Sequence, residues 1–279
     1  MSRRILLVIL VLLVVCFAAG ALVSASGQTQ EQTARKFDEF GDVQPSDMAA
    51  RLDSFAIELQ NNPTTNGFVF AYRSRRDLPG LSSRHVNWIR NYLVYTRGFQ
   101  AERIKTIDGG VAPTLGYELW IVPPGAVPTP RTDAYTNQYA DRSAAEKFDE
   151  FWYFTPNDQP ESYAGFGDSI EGLADALRKE PTSLAYVIVY SQYDKSGWHE
   201  YLNGKGRRVN IDPAGTARRK LQGEKAELVR LGVSPSRIRL VDGGYRKTRA
   251  IELWIVPAGE PAPIATPNAF PRQPPRRRK

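Results

Sequence analysis

Two acidic pairs, Asp38-Glu39 and Asp149-Glu150, are the first residues in this chain whose types suit acid–base chemistry. Each pair lies in a short strand-like run. Neighbours on a strand point to opposite faces, so neither pair can place both carboxylates on one substrate. Trp198-His199-Glu200-Tyr201 sets a histidine beside a carboxylate, but no nucleophile motif accompanies it. His85 and His199 are the two histidines, which is too few for a His-rich metal site, and the single cysteine is Cys16. A body cut beyond Cys16 has no thiol for catalysis, disulfides or metal ligation. The sequence also has no Gly-rich phosphate loop. These residues predict a chain that is not an enzyme and holds no cofactor or metal.

The remaining candidates are cationic. Arg73, Arg75, Arg76 and Arg84 gather around the loop after Gly67–Tyr72, a buried-strand candidate. Arg207, Arg208, Arg218, Arg219 and Lys220 gather at the matching place further on. Such clusters suit an anionic ligand, such as glycan carboxylates or phospholipid headgroups, and equally suit a solvated loop. The net charge of +7 does not point to a nucleic-acid partner. Arg3 and Arg4 precede the first apolar run, and five more basic residues lie among the last nine; the rest of the 37 match the 30 acidic residues in number.

The N-terminus reads as an export signal. Arg3-Arg4 form the positive n-region, Ile5–Ala19 the apolar stretch, and Ala25-Ser26-Gly27 a small-x-small cleavage site. The alternative is an uncleaved anchor, because Ile5–Ala25 is just long enough to span a bilayer. Either reading puts the body in the periplasm or cell envelope, with membrane contact only through an uncleaved segment.

The elements that would position the candidates occur twice. Lys36-Phe37-Asp38-Glu39-Phe40 recurs as residues 147–151, Arg103–Gly110 as Arg237–Gly244, and Glu118–Pro123 as Glu252–Pro257. The last two matches share an offset of 134 residues. A unit of this size is a whole domain. The expected organisation is a signal peptide or anchor at 1–27, a first domain at 36–123, a linker at 124–146, a second domain at 147–257, and a disordered Pro-rich basic tail at 258–279.

Within the first unit the patterning predicts a strand at Phe37–Phe40 and a helix carrying Met48, Leu52, Phe55, Ala56 and Leu59 with Ser46 as its cap. A strand at 67–72 follows, then a helix capped by Ser82 or Ser83 and ended by Gly98, and strands at 103–107 and 117–122 joined through Asp-Gly-Gly. The second unit repeats the order, with helices at 169–179 and from about Pro213 to Leu231. The pattern β-α-β-α-β-β predicts an α+β fold of two tandem domains, each a mixed sheet with two helices packed on one face. Trp120 and Trp254, in matching last strands, read as sheet-packing residues.

That order, with Leu81-Ser82-Ser83-Arg84, Arg97–Ile104 and Leu231–Ile238, resembles the OmpA-like peptidoglycan-associated domain. In the second unit Tyr193-Asp194, Gly197 and Tyr201 fall at the spacing of that family's ligand loop. The resemblance implies binding of a diaminopimelate end by an Asp in this loop and an Arg at the start of the second helix. A carboxylate pairs the ammonium and a guanidinium pairs the carboxylate. Carried over, the Asp position is Ser74 in copy one and Asp194 in copy two. The Arg position falls on Arg84 or His85 in copy one. In copy two it falls on Lys220 with Arg219 beside it, beyond an insertion at Gly204–Ala214. The expected partner is peptidoglycan or another anionic envelope polymer, bound by copy two. The rival expectation is a protein-interaction or assembly module of the envelope with no glycan binding.

Overall fold

The computed structural model describes residues 33–135, 142–152, 169–193 and 211–269, with the backbone of 201–202 and 208–209. The first copy runs β1 (Arg35–Phe40), α1 (Pro45–Asn61), β2 (Asn66–Arg73), α2 (Leu81–Asn91), β3 (Ile104–Val111) and β4 (Gly116–Val122). The second runs β5 (Glu146–Phe151), α3 (Ile170–Lys179), β6 (Leu184–Gln192), a two-stranded arm of β7 (Tyr201–Leu202) and β8 (Arg208–Val209), α4 (Thr216–Arg230), β9 (Ile238–Arg246) and β10 (Ala250–Val256). The sheets order as β1-β4-β2-β3 and β5-β10-β6-β9. In each, the last strand pairs antiparallel with both of its neighbours, and the remaining pairing, β2 with β3 or β6 with β9, is parallel. The α+β fold of two tandem β/α domains is therefore as expected, with two helices covering one face of each sheet.

The helices form because their apolar residues fall on one stripe. Leu52, Phe55, Ala56 and Leu59 of α1 are buried against the sheet, as are Ile170, Leu173, Ala174 and Leu177 of α3. These two sets match at an offset of 118 residues. Local details differ from expectation. Pro45 opens α1 with Gln44 at the cap position, so Ser46 lies inside the first turn. Ser82 and Ser83 are buried within α2, and Ser82 Oγ donates to Asp108 Oδ1 at 2.8 Å.

The second helices match at an offset of 135, with Leu81 opposite Thr216, Val86 opposite Leu221 and Leu93 opposite Leu228. Beyond them the offset returns to 134. Copy one absorbs its extra residue as a π turn at Tyr92–Thr96. There Phe99 N–H reaches back to Leu93 O at 3.1 Å, where Val233 N–H reaches Leu228 O at 2.9 Å.

Asp-Gly-Gly does not end its strand as expected; it forms a bulge within β3 and within β9. The second glycine, Gly110 or Gly244, carries φ of 82° or 81°. Its N–H is held by Asp108 or Asp242 Oδ1. The first glycine lies under a tyrosine ring, and a Cβ on Gly243 would come within 2.5 Å of Tyr190.

The tail expected to be disordered is instead placed as far as Ala269, and the linker is placed as far as Tyr135. Pro123–Tyr135 and Pro257–Ala269 are two straps that cover the sheet face opposite the helices. Ala126 and Ala134 pack with Phe70, Tyr72 and Trp120; Ala265 packs with Ile188 and Tyr190. Bridges at Val111–Tyr135 and Tyr245–Ala269 pin their ends, again 134 residues apart. Prolines preset an extended backbone that crosses a sheet at little entropic cost. The duplicated unit therefore extends through the strap.

Among the described residues no helix is long and apolar enough to cross a membrane. The export signal at 1–27 and the basic residues after Ala269 lie outside the described residues.

Candidate functional site

The two helix starts, where the cationic candidates cluster, have different surroundings. In copy one, Arg84 Nε donates to Asp149 Oδ2 at 3.0 Å. Asp149 belongs to β5 of copy two and is fully buried. Burial pushes its carboxyl above the usual value, opposed by the Arg84 charge. The Gly80 N–H donates to the Phe148 carbonyl at 2.7 Å. The approach is close: a Cβ on Gly80 would meet the Phe148 ring at 2.7 Å, and one on Gly172 would overlap the Ser83 side chain. The start of α2 is thus filled by a strand and helix of the neighbouring copy.

His85, the other copy-one candidate, shares a hydrogen bond through Nδ1 with the Tyr117 hydroxyl. Burial, with the Arg84 charge, pushes its imidazole down to about 4. The rest of the copy-one basic patch does not converge. Arg73 is buried, and its Nη1 donates to the Ser74 and Asp77 carbonyls. Arg75 stacks on Tyr135 of the strap and donates to its hydroxyl at 2.6 Å. Arg76 is exposed.

In copy two, Arg219 is exposed and reaches Thr216 Oγ1 at 3.2 Å within its own turn. Lys220 is half-buried and paired with Glu224 at 2.5 Å, an i,i+4 contact along α4. The inserted segment leaves and returns side by side. Tyr193 bridges Ile211, and Asp212 N–H donates to Gln192 O at 2.9 Å. Asp212 is buried beneath the Arg249 guanidinium, which donates to both its oxygens, and it also accepts the Gln192 N–H at 2.7 Å. Asp194 and Arg207 lie outside the described residues, and of Arg208 only its place in β8 is described. The expected convergence of Asp194 with Arg219 or Lys220 therefore falls outside them.

A second constellation, absent from the sequence-level candidates, lies under each strap. Phe37 and Phe148 are bulged, which turns Lys36 with Glu39, and Lys147 with Glu150, to the strap side. There Lys36 pairs with Glu118 at 2.8 Å, and Lys147 with Glu252 at 3.0 Å. Trp120 and Trp254 do more than fill the sheet. Each indole N–H donates to the adjacent buried carboxylate, at 3.0 and 3.1 Å. Copy one closes the cluster with the Tyr72 hydroxyl and the Arg131 N–H, both donating to Glu118. Copy two closes it with Arg246, which bonds Glu252 at 2.7 Å and Glu150 at 2.8 Å and lies over the Tyr190 ring. Burial pushes Glu252 up, but hydrogen bonds from Lys147, Arg246 and Trp254 outweigh it and hold the carboxyl below its ordinary value. These networks are internally satisfied, and they anchor the straps.

Arg103 and Arg237 are likewise structural. Arg103 caps the carbonyls of Leu59, Asn62 and Thr65, and Arg237 those of Leu177, Glu180 and Ser183. Among the described residues no group of His, Cys, Asp and Glu is arranged to hold a metal ion.

No protein-family model matches the chain, and no curated protein matches it.

Proposed function

We propose that this chain is a non-catalytic, exported cell-envelope protein of two OmpA-like units, in which copy one is architectural and copy two takes peptidoglycan. The observation that carries this reading is the fate of equivalent arginines. Arg84 and Arg219 occupy the same place on the second helix of their copies, at the offset of 135. Arg84 is committed to Asp149, whereas Arg219 is exposed. A guanidinium suits bidentate capture of a diaminopimelate carboxylate, and Asp194 supplies the anion for the ammonium. Arg219 is the better partner of the two candidates, because Lys220 is already neutralised by Glu224.

Co-sedimentation with purified sacculi tests this. The full chain should pellet in salt high enough to screen the basic tail, and Asp194→Ala or Arg219→Ala should release it at least tenfold. Pelleting that neither substitution changes would refute the assignment.

A protein-docking module is the second reading, favoured by one observation: the start of α2 already holds a protein strand, through Gly80 and Arg84. On that reading sacculi would not pellet the chain at all.

A further inference from the structure

The seam between the copies is built from a pentapeptide that occurs twice. Lys-Phe-Asp-Glu-Phe forms β1 and β5, with the same bulge and the same antiparallel partner strand. In β5 it is seated on the start of α2, through Phe148 and Asp149. The start of α4 carries Gly215 and Arg219 where α2 carries Gly80 and Arg84. Each chain therefore repeats residues of both halves of the seam, one in each copy, with the glycine at the helix start changed in conformation, φ being -81° at Gly80 and 82° at Gly215. A head-to-tail contact of this kind joins copy after copy into rings or filaments.

Among the positions that differ between the seam and its unused halves, three bear directly on docking. Arg51 stands where copy two has Ser169, Ser54 where it has Gly172, and Arg218 where copy one has Ser83. Arg51 donates to Asp38 Oδ2 at 2.7 Å and packs over Phe40, so the carboxylate equivalent to Asp149 is already neutralised within its own copy. Ser54 adds a side chain at the position where Gly172 has no room for a Cβ. Arg218 replaces the buried Ser83 that contacts Gly172 and would bring a second cation towards Arg51. Each difference opposes docking by a separate mechanism: a pre-empted charge, lost space and like-charge repulsion.

We propose that Arg51, Ser54 and Arg218 are stops that confine a repeatable head-to-tail contact to one seam per chain, the occupant they exclude being β1 of a second copy. Light scattering on the full chain after size-exclusion chromatography tests this. Wild type should be monomeric. Arg51→Ser, Ser54→Gly and Arg218→Ser combined should form dimers and larger species as concentration rises, and adding Arg219→Ala should return them to monomer. A triple variant that keeps the wild-type mass would overturn the proposal, as would oligomers indifferent to Arg219 or a wild type that oligomerises through it. A second variant covers the case in which the triple variant fails to fold. Ser83→Arg places the stop inside the native seam and should separate the two copies into two unfolding transitions. A single transition, shifted or not, would overturn the proposal.

Discussion

Arg84 and Asp149 lie 65 residues apart in different copies of the repeat, yet the Arg84 guanidinium is the cation on the buried Asp149 carboxylate at 3.0 Å. This pair joins the two copies and commits the Arg84 guanidinium to Asp149. Arg84→Ala leaves a buried carboxylate without its cation, which costs on the order of 3 kcal/mol. Urea unfolding should show that loss. Arg84→Ala combined with Asp149→Ala should cost less than the sum of the single substitutions.

The strap clusters predict a second effect. Glu252→Gln leaves Lys147 and Arg246 facing a neutral amide in a buried site, at a cost of about 3 kcal/mol. The strap over the sheet should loosen with it. Limited proteolysis should cut within Pro257–Ala269 sooner than in wild type, while the corresponding Glu118→Gln should expose Pro123–Tyr135.

His85 gives the chain an acid-side pH dependence. Its folded value of about 4 lies below the ordinary 6.5. Between those values the unfolded chain binds the proton and the folded chain does not, so stability is full above pH 6.5 and falls as pH drops towards 4. The total is on the order of 3 kcal/mol. His85→Gln should flatten this segment of a stability–pH curve.

Gly243 is held against the Tyr190 ring, on which Arg246 also packs at 3.5 Å. Gly243→Ala should cost about 1–3 kcal/mol through overpacking, read as a lower midpoint in thermal unfolding. Substitution of Gly223, which has open space around it, is the control.

The fold was legible because helix and strand periods, glycine punctuation and the duplication agree. Leu52, Phe55 and Leu59 announce a buried helical face whatever packs on it. The straps were not legible, since Pro-rich composition reads as a disordered tail until Tyr190 and Glu118 supply partners for the backbone of Thr266 and Arg131. Lys36, Glu39, Glu118 and Trp120 were visible as repeated residues, but the bulge at Phe37 that gathers them was not. It breaks the alternation from which Lys36 and Glu39 would be placed on opposite faces. The seam is traced in the sequence by Lys-Phe-Asp-Glu-Phe, identical in both copies, and by the substitutions around it, such as Arg51 at the place of Ser169. Arg84 could be read as a cation at a helix start, but its partner lies in another copy and has no sequence spacing to betray it.

The inequivalence of the two copies is tested most directly by the stoichiometry of calorimetric titration with a soluble diaminopimelate-containing muropeptide. One equivalent should bind per chain, abolished by Arg219→Ala and retained by Arg76→Ala. Two equivalents, or none, would contradict it.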